Sequence, residues 1–379
     1  MRVVADNKIP FLRGVLEKYA GVVYFPGRDI GPQQVKDADA LIVRTRTKCN
    51  RHLLGGTRVK YIATATIGFD HIDTDYCRTR GIAWSNAPGC NSGSVMQYIA
   101  SSLAYISGRS NREFGELTLG IVGVGHVGKK VERLARLLGM KVMLNDPPRE
   151  REEGGGEFVP LERLLEKSDI VTMHVPLNRE GADRSFHLAD RKFFNRMKKG
   201  GWFINTSRGE VMNTAAVREA LDGGLLGGTV IDVWENEPAI DRNLLALADI
   251  ATPHIAGYSL DGKANGTAQS VRSVSDFFGL GTGGWYPDIP APDNRMLKID
   301  RKHSSYYQLA SKLFMHTYDI FADSERLKTA PGSFEQLRDG YPPRREFGAY
   351  ELLFEYPVDP VTEKLRKIGF NVQYAGQQE

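Results

Sequence analysis

Short runs of hydrophobic positions alternate along the chain with stretches of helical character. Arg2–Ala5, Val22–Phe25, Ala40–Val43 and Val59–Thr64 read as short buried strands. Between them, Phe11–Tyr19, Pro32–Asp37 and Asp73–Arg80 carry helical signals. Asn91 is placed to cap a longer helix, Ser92–Ile106, whose Val95, Ile99, Leu103 and Ile106 share one face. The run Ser107-Gly108-Arg109-Ser110-Asn111 breaks it. A second alternating block follows. Its predicted strands are Leu117–Val122, Lys141–Asn145, Ile170–His174, Trp202–Asn205, Thr229–Val233 and Ile250–Thr252. Its helices are Lys129–Leu138, Leu161–Glu166, Asp190–Met197 and Thr214–Asp222, and Ser259–Gly279 closes the block. This alternation predicts βαβ units around parallel sheets. Gly281–Asp293 is rich in Gly and Pro and reads as a linker. In the tail beyond it, Met296–Ile299, Tyr350–Phe354 and Phe370–Tyr374 are strand candidates and Ser304–Phe321 a helix. There is no internal repeat and no low-complexity segment.

Composition narrows the class. A length of 379 residues predicts two or three domains. The surplus of 50 basic over 46 acidic residues, a net +4, is too thin for a nucleic-acid footprint but allows local basic pockets for small acids. No apolar run approaches the ~18 residues of a membrane span, so no membrane partner is expected. Met1–Asp6 reads as a strand and not as a signal peptide. Cys49, Cys77 and Cys90 cannot all pair and lack metal-ligand spacing, which predicts a reducing, cytoplasmic setting and no metal. Glycine is frequent, at 40 residues, as expected for tight βα turns and backbone approaching a ligand.

The first candidate chemistry lies after the strand ending at Val122. Gly123-Val124-Gly125-His126-Val127-Gly128 fits G-x-G-x-x-G and leads into a predicted helix. In that context the glycines allow a tight turn and close approach to a pyrophosphate, and the helix start supplies N–H groups. Asp146 ends the next strand, 18 residues after Gly128. A carboxylate there accepts hydrogen bonds from ribose hydroxyls and repels a 2′-phosphate, favouring NAD over NADP.

Three later strands run into Thr206-Ser207-Arg208-Gly209, Trp234-Glu235-Asn236-Glu237-Pro238 and Pro253-His254-Ile255-Ala256-Gly257. Arg, Glu and His then emerge on the sheet edge that carries the glycine loop. Histidine can take a hydroxyl proton, a neighbouring carboxylate can orient the imidazole, and arginine can clamp a substrate carboxylate. That set suits oxidation of a 2-hydroxy acid.

With the glycine loop, Asp146, Asn205–Gly209, Asp232, Glu237-Pro238 and Thr252–Gly257, the chain resembles the D-2-hydroxyacid dehydrogenase family. Ala63–Asp73, Ala83–Asn91 and His254–Ser259 extend the likeness to one branch of that family, over nearly the whole chain. The resemblance implies that Arg208 and Glu237 are active-site residues and His254 the acid–base residue. It implies NAD contacts at Asp146, Val175, Thr206, Ser207, Arg208, Asp232 and Gly257, beside the loop. It also implies substrate contacts at Thr45, Thr66 and Tyr258. Thr45 stands where the family usually has serine, and Val175 can serve only through its backbone. The tail resembles the dimerisation domain of that branch, which implies a homodimer.

The substrate expected is a small phosphorylated 2-hydroxy acid. Arg44-Thr45-Arg46 follows a strand end and suits its phosphate; the resemblance implies Arg44 in preference to Arg46, and Lys8 is a weaker candidate. Arg344-Arg345 is either an interface pair or a solvated run. His126 is read as solvent-facing and His174 as structural.

The expected fold is α/β. A Rossmann-type NAD domain (residues 91–256) is inserted in a flavodoxin-like substrate domain (residues 1–90 and 257–285). An α+β dimerisation domain (residues 286–379) follows. Catalysis is expected in the cleft between the first two, with closure excluding water. The competing readings are a dehydrogenase for phosphoglycerate, glyoxylate or hydroxypyruvate, and an NADH-sensing binding protein.

Overall fold

The computed structural model describes residues 1–300, 305–358 and 360–375. The chain forms two compact units, one of residues 1–91 with 259–290 and one of residues 92–258 with 291–379.

The first unit holds β1 (Arg2–Asp6), β2 (Gly21–Phe25), β3 (Ala40–Val43), β4 (Tyr61–Thr64) and β5 (Ala83–Ser85) in one parallel sheet of order β2-β1-β3-β4-β5. That is the flavodoxin-like order. Successive strand residues feed opposite cores: Val4, Leu41, Val43 and Ile62 pack on one face, Val3, Ala5, Ile42 and Ala63 on the other. The return helix Leu260–Phe278 brings Val271 and Val274 into the second of these cores, and Ser259 caps it by accepting from the Gly262 N–H.

One predicted helix here does not form. Phe11–Tyr19 is a series of turns, because Phe11 (φ 63°) and Gly14 (φ 84°) both take the left-handed conformation. Leu12 and Leu16 are nevertheless fully buried, so the hydrophobic spacing marked burial without a helix.

The second unit holds β6 (Thr118–Val122), β7 (Lys141–Asn145), β8 (Ile170–Met173), β9 (Gly201–Asn205), β10 (Leu226–Ile231) and β11 (Ile250–Ala251). All pair in parallel, in the order β11-β10-β9-β8-β6-β7. A single parallel bridge, Leu144 with Phe158, extends the sheet beyond β7. This is the Rossmann arrangement with its outermost strand reduced to one bridge. The long helix Ser92–Ser110 packs its Val95, Ile99 and Leu103 into the core and runs four residues past the predicted end.

The tail packs on the helices Ser92–Ser110 and His126–Leu137 and on the edge strand β11. Its strands β12 (Met296–Ile299), β13 (Glu351–Phe354) and β14 (Asn371–Tyr374) form a parallel sheet of their own. The predicted helix Ser304–Phe321, whose first residue lies outside the described ones, divides into Tyr306–Thr317 and Ile320–Thr329. Asp319 causes the break: its carboxylate accepts from the Phe321 and Ala322 N–H groups and starts a new helix. Phe314, Phe347, Leu352 and Leu365 share one core with Tyr98, Leu103 and Leu134, while Leu327 and Phe334 join another with Phe203 and Leu245. The tail therefore shares its cores with the helices and edge strand it covers. Burying each such aromatic contributes about 1.5–3 kcal/mol.

Candidate active site

Six parallel strands place six connections on one edge of the Rossmann sheet. The glycine loop follows β6 and opens the helix His126–Leu137, whose first N–H groups have no partner inside the helix. A Cβ on Gly128 would lie 2.2 Å from the Gly123 carbonyl oxygen, so only glycine lets this helix close on the strand. A Cβ on Gly125 would meet nothing within 4 Å. Open space at a helix start is what a pyrophosphate needs. Val175 abuts Gly123 from the neighbouring connection. Asp146 accepts from the Val124 N–H at 2.7 Å and the Arg149 N–H at 3.1 Å, which ties its carboxylate to the loop. Val127 packs against the core and His126 is exposed. These residues fit a bound NAD.

After β9, Asn205 shapes the next turn. Its Oδ1 accepts from the Ser207 N–H and hydroxyl at 3.0 and 2.8 Å, and its Nδ2 donates to the Arg208 carbonyl at 3.0 Å. Arg208 leaves this turn with Nη1 donating to the Ser207 carbonyl at 2.8 Å. His174, at the end of β8, lies 3.4 Å from the Thr206 hydroxyl and 3.1 Å from that of Thr172. Burial pushes its pKa down to about 3, so it is a neutral structural group.

Asp232 follows β10 and is 1% exposed. It accepts from the Thr252 hydroxyl at 2.6 Å and from the Ile255 and Ala256 N–H groups at 2.7 and 2.9 Å. Burial raises its pKa against those bonds and the nearby His254. Asp232 thus fastens the loop that carries His254, which itself adopts a left-handed backbone (φ 58°).

The His254 ring meets Glu237, with Nδ1 2.8 Å from Oε2. A carboxylate only accepts, so Nδ1 carries the proton and Nε2 is the basic atom. The Trp234 N–H donates to the other oxygen, Oε1, at 3.0 Å. Burial pushes Glu237 upward, but His254, the Trp234 N–H and Arg338 outweigh it and hold the carboxyl below its ordinary range. Tyr258 closes the loop, and its hydroxyl accepts from Arg338 Nε at 3.0 Å. Arg338 went unrecognised in the sequence because it lies 80 residues from Tyr258 and belongs to no motif.

The first unit has its own polar edge. Arg44, Thr45 and Arg46 follow β3, and Thr66 follows the adjacent β4. Arg44 Nε donates to the fully buried Asp6 at 3.0 Å, which aims the guanidinium. Thr45 is exposed. The Thr66 hydroxyl is 2.8 Å from that of Thr64 and donates to the Gly68 carbonyl at 3.0 Å. Cys49, Cys77 and Cys90 are buried free thiols. No metal-holding cluster occurs among the described residues, and no described helix is long and apolar enough to cross a membrane.

A dinucleotide cradle, an imidazole held by a carboxylate and an arginine on the same sheet edge define an NAD-dependent 2-hydroxyacid dehydrogenase. Comparison with known proteins agrees. Residues 102–256 match the model of the D-isomer specific 2-hydroxyacid dehydrogenase NAD binding domain, and residues 289–369 match a domain of unknown function. D-Lactate dehydrogenase from Aquifex aeolicus, solved with NAD and lactic acid, is 28% identical with a TM-score of 0.61, covering 74% of this chain and 96% of that one. The NAD-bound 3-phosphoglycerate dehydrogenase of Entamoeba histolytica is 26% identical with a TM-score of 0.63, covering 76% and 99%. Erythronate-4-phosphate dehydrogenase of Bacteroides fragilis is 52% identical over 93% of this chain and 99% of its own length. The enzyme of that name from Azotobacter vinelandii is 38% identical over 97% and 99%. The chain belongs to the erythronate-4-phosphate dehydrogenase family.

Proposed function

We propose that this chain oxidises 4-phospho-D-erythronate at C2 to 2-oxo-3-hydroxy-4-phosphobutanoate, an early step of pyridoxal 5′-phosphate synthesis. The observation that carries the reading is the His254–Glu237 pair at 2.8 Å on a loop pinned by Asp232. His254 Nε2 takes the C2 hydroxyl proton, and Glu237 holds Nδ1 and stabilises the imidazolium. Arg208 clamps the substrate carboxylate and draws charge toward the oxygen at C2. NAD, when bound at the Gly123–Gly128 loop, Asp146, Val175, Thr206–Arg208, Asp232 and Gly257, supplies the two-electron acceptor. Arg44, Arg46, Thr45 and Thr66 are assigned to the phosphate end and Tyr258 to the substrate body.

NADH formation with 4-phosphoerythronate and 3-phosphoglycerate, measured side by side, tests the substrate. Turnover of the second and none of the first would sink the assignment. Loss of turnover in His254→Ala is the matching test of the base.

The same reading includes a cytoplasmic location, supported by three reduced buried cysteines, and a homodimer through the tail. The outer face of the tail sheet supports the second point. Leu352 and Phe354 turn inward, which leaves Leu353 on the outer face, and Met296 is 46% exposed on β12. Sedimentation of the full chain should give a dimer that Met296→Lys with Leu353→Lys weakens. A monomer at every concentration would refute it.

A further inference from the structure

The tail, where the family model matched is a domain of unknown function, brings two arginines to the loop that carries His254. The helix Phe334–Asp339 carries Arg338, whose Nε donates to the Tyr258 hydroxyl at 3.0 Å. Its Nη1 lies 3.8 Å from Glu237 Oε2, the oxygen that meets His254 Nδ1 at 2.8 Å. Its guanidinium also sits 5.7 Å from the centre of the Tyr258 ring. Six residues further on, Arg344 is 6% exposed and donates through Nη2 to the Ala256 carbonyl at 2.7 Å and the Ile255 carbonyl at 3.3 Å. Its guanidinium stacks 4.1 Å from the Tyr318 ring centre. The Arg344-Arg345 pair is thus no solvated run at its first member.

We propose that Arg338 is a positioning residue of the dehydrogenase: its guanidinium fork fixes Tyr258 and the Glu237 carboxylate, so the tail completes the active site of its own chain. The inference rests on the dehydrogenase reading of His254 and Glu237. A cation at this distance acts on two things. It shares the Glu237 charge with the imidazolium, so it sets how readily His254 becomes protonated. It also fixes the phenol of Tyr258, a long side chain that would otherwise sample several rotamers. A fork can hold both partners at once, and a lysine ammonium is a point charge on a flexible stem.

The charged and titratable groups around the imidazole are Glu237 and Asp232 from the connections after β10, Tyr258 from its own loop, and Arg338 from the tail. Arg344 and Tyr98 face Asp232 from behind, and Asp323 faces Arg344 and Tyr98 in turn. Arg208 lies on the same sheet edge. Of the two cations contributed by the tail, only Arg338 reaches the Glu237 carboxylate in a named contact among the described residues.

The test uses the full chain with Arg338→Gln and Arg338→Lys. Arg338→Gln should lower kcat roughly 10- to 100-fold while leaving NADH affinity within about twofold. The acid limb of its pH–rate profile should move to higher pH, because removing the cation leaves Glu237 wholly to the imidazolium. Arg338→Lys should keep the acid limb near its normal place and still lose several-fold in kcat. Wild-type kinetics in either variant overturns the proposal. So does an equal loss in both accompanied by lost NADH binding, which is the signature of packing alone. A substrate-free measurement separates this proposal from the substrate assignment. The His254 ring signal, identified by its loss in His254→Gln, is titrated by NMR in wild type and variants. An upward-shifted midpoint in Arg338→Gln, and not in Arg338→Lys, supports the proposal even if 4-phosphoerythronate is not turned over. An unmoved midpoint overturns it whatever the substrate.

Discussion

Asp232 and Arg344 hold opposite sides of one peptide segment. The carboxylate of Asp232 accepts the Ile255 and Ala256 N–H groups, while the guanidinium of Arg344 donates to the carbonyls of the same two residues. Thr252 adds its hydroxyl to Asp232 and itself lies 2.7 Å from the Tyr98 hydroxyl. The His254 loop is therefore clamped by buried charges of both signs. Asp232→Asn places an amide that donates where the loop presents donors. A loss of about 1.5–3 kcal/mol in stability is expected, since bonds to a charged acceptor are given up. A loop displaced by an ångström should also cost roughly 10²-fold in kcat. Urea unfolding and steady-state rates check the two effects. Full activity in this variant would show that the clamp does not set the His254 position.

Acid should destabilise the protein through two identifiable groups. Glu237 is held below its ordinary range, so its stabilising contribution is present above that range and is lost as pH falls through its folded value. His174 is held at about 3 against an ordinary 6.5, so below 6.5 the unfolded chain takes up a proton that the folded chain refuses. Both effects lower stability on acidification. A series of melting temperatures from neutral pH downward should be flatter for His174→Gln between those two values. Glu237→Gln should flatten only the more acidic end. The same Glu237→Gln change should lower kcat by roughly 10²–10⁴-fold at neutral pH, the range of a lost acid–base contribution.

The glycine loop offers a contrast between fold and ligand. Gly128 has the Gly123 carbonyl where a Cβ would go, whereas Gly125 has open space. Gly128→Ala should lower the melting temperature and abolish NADH binding together. Gly125→Ala should leave the melting temperature close to that of the wild type, yet weaken NADH binding about tenfold or more. Fluorescence titration with NADH and a thermal scan on each variant decide it. Unchanged NADH affinity in Gly125→Ala would place the pyrophosphate elsewhere.

Much of this was legible in the sequence, and the gaps have physical causes. The two parallel sheets announce themselves because buried strands are continuous apolar runs, and β3, β7 and β9 fall within a residue or so of the pattern. Strand ends in a parallel sheet share an edge, so Arg208, Glu237 and His254 could be grouped without coordinates. The strand β5 was absent from the strand pattern because its three residues, Ala83–Ser85, are too short to show a period. The Phe11–Tyr19 segment misled because buried leucines four apart fit a helix or a folded loop equally well. Arg338 and Arg344 were invisible for a different reason. Their partners lie about 80 to 250 residues away, and no local spacing encodes a contact of that reach.

Arg44 joins a buried carboxylate to the proposed phosphate end. Asp6 is fully buried, and Arg44 Nε is its charged partner at 3.0 Å. With Nε spent on Asp6, the two terminal nitrogens of the guanidinium form the edge left to meet a phosphate. Two substitutions separate these duties. Arg44→Lys keeps a charge near Asp6 but gives up the planar fork. It should raise KM for 4-phosphoerythronate roughly tenfold, the lower end of what a charged hydrogen bond contributes. Its melting temperature should stay close to wild type. Arg44→Met leaves the Asp6 carboxylate with the Lys8 N–H at 2.8 Å but without its charged partner, which should cost roughly 1–3 kcal/mol. That variant should be visibly less stable as well as weaker in KM. The control is D-erythronate, which lacks the phosphate and should be handled equally by wild type and Arg44→Lys. If Arg44→Lys changed KM for both compounds alike, Arg44 would be serving Asp6 and not the phosphate, and Arg46 would become the group to replace next.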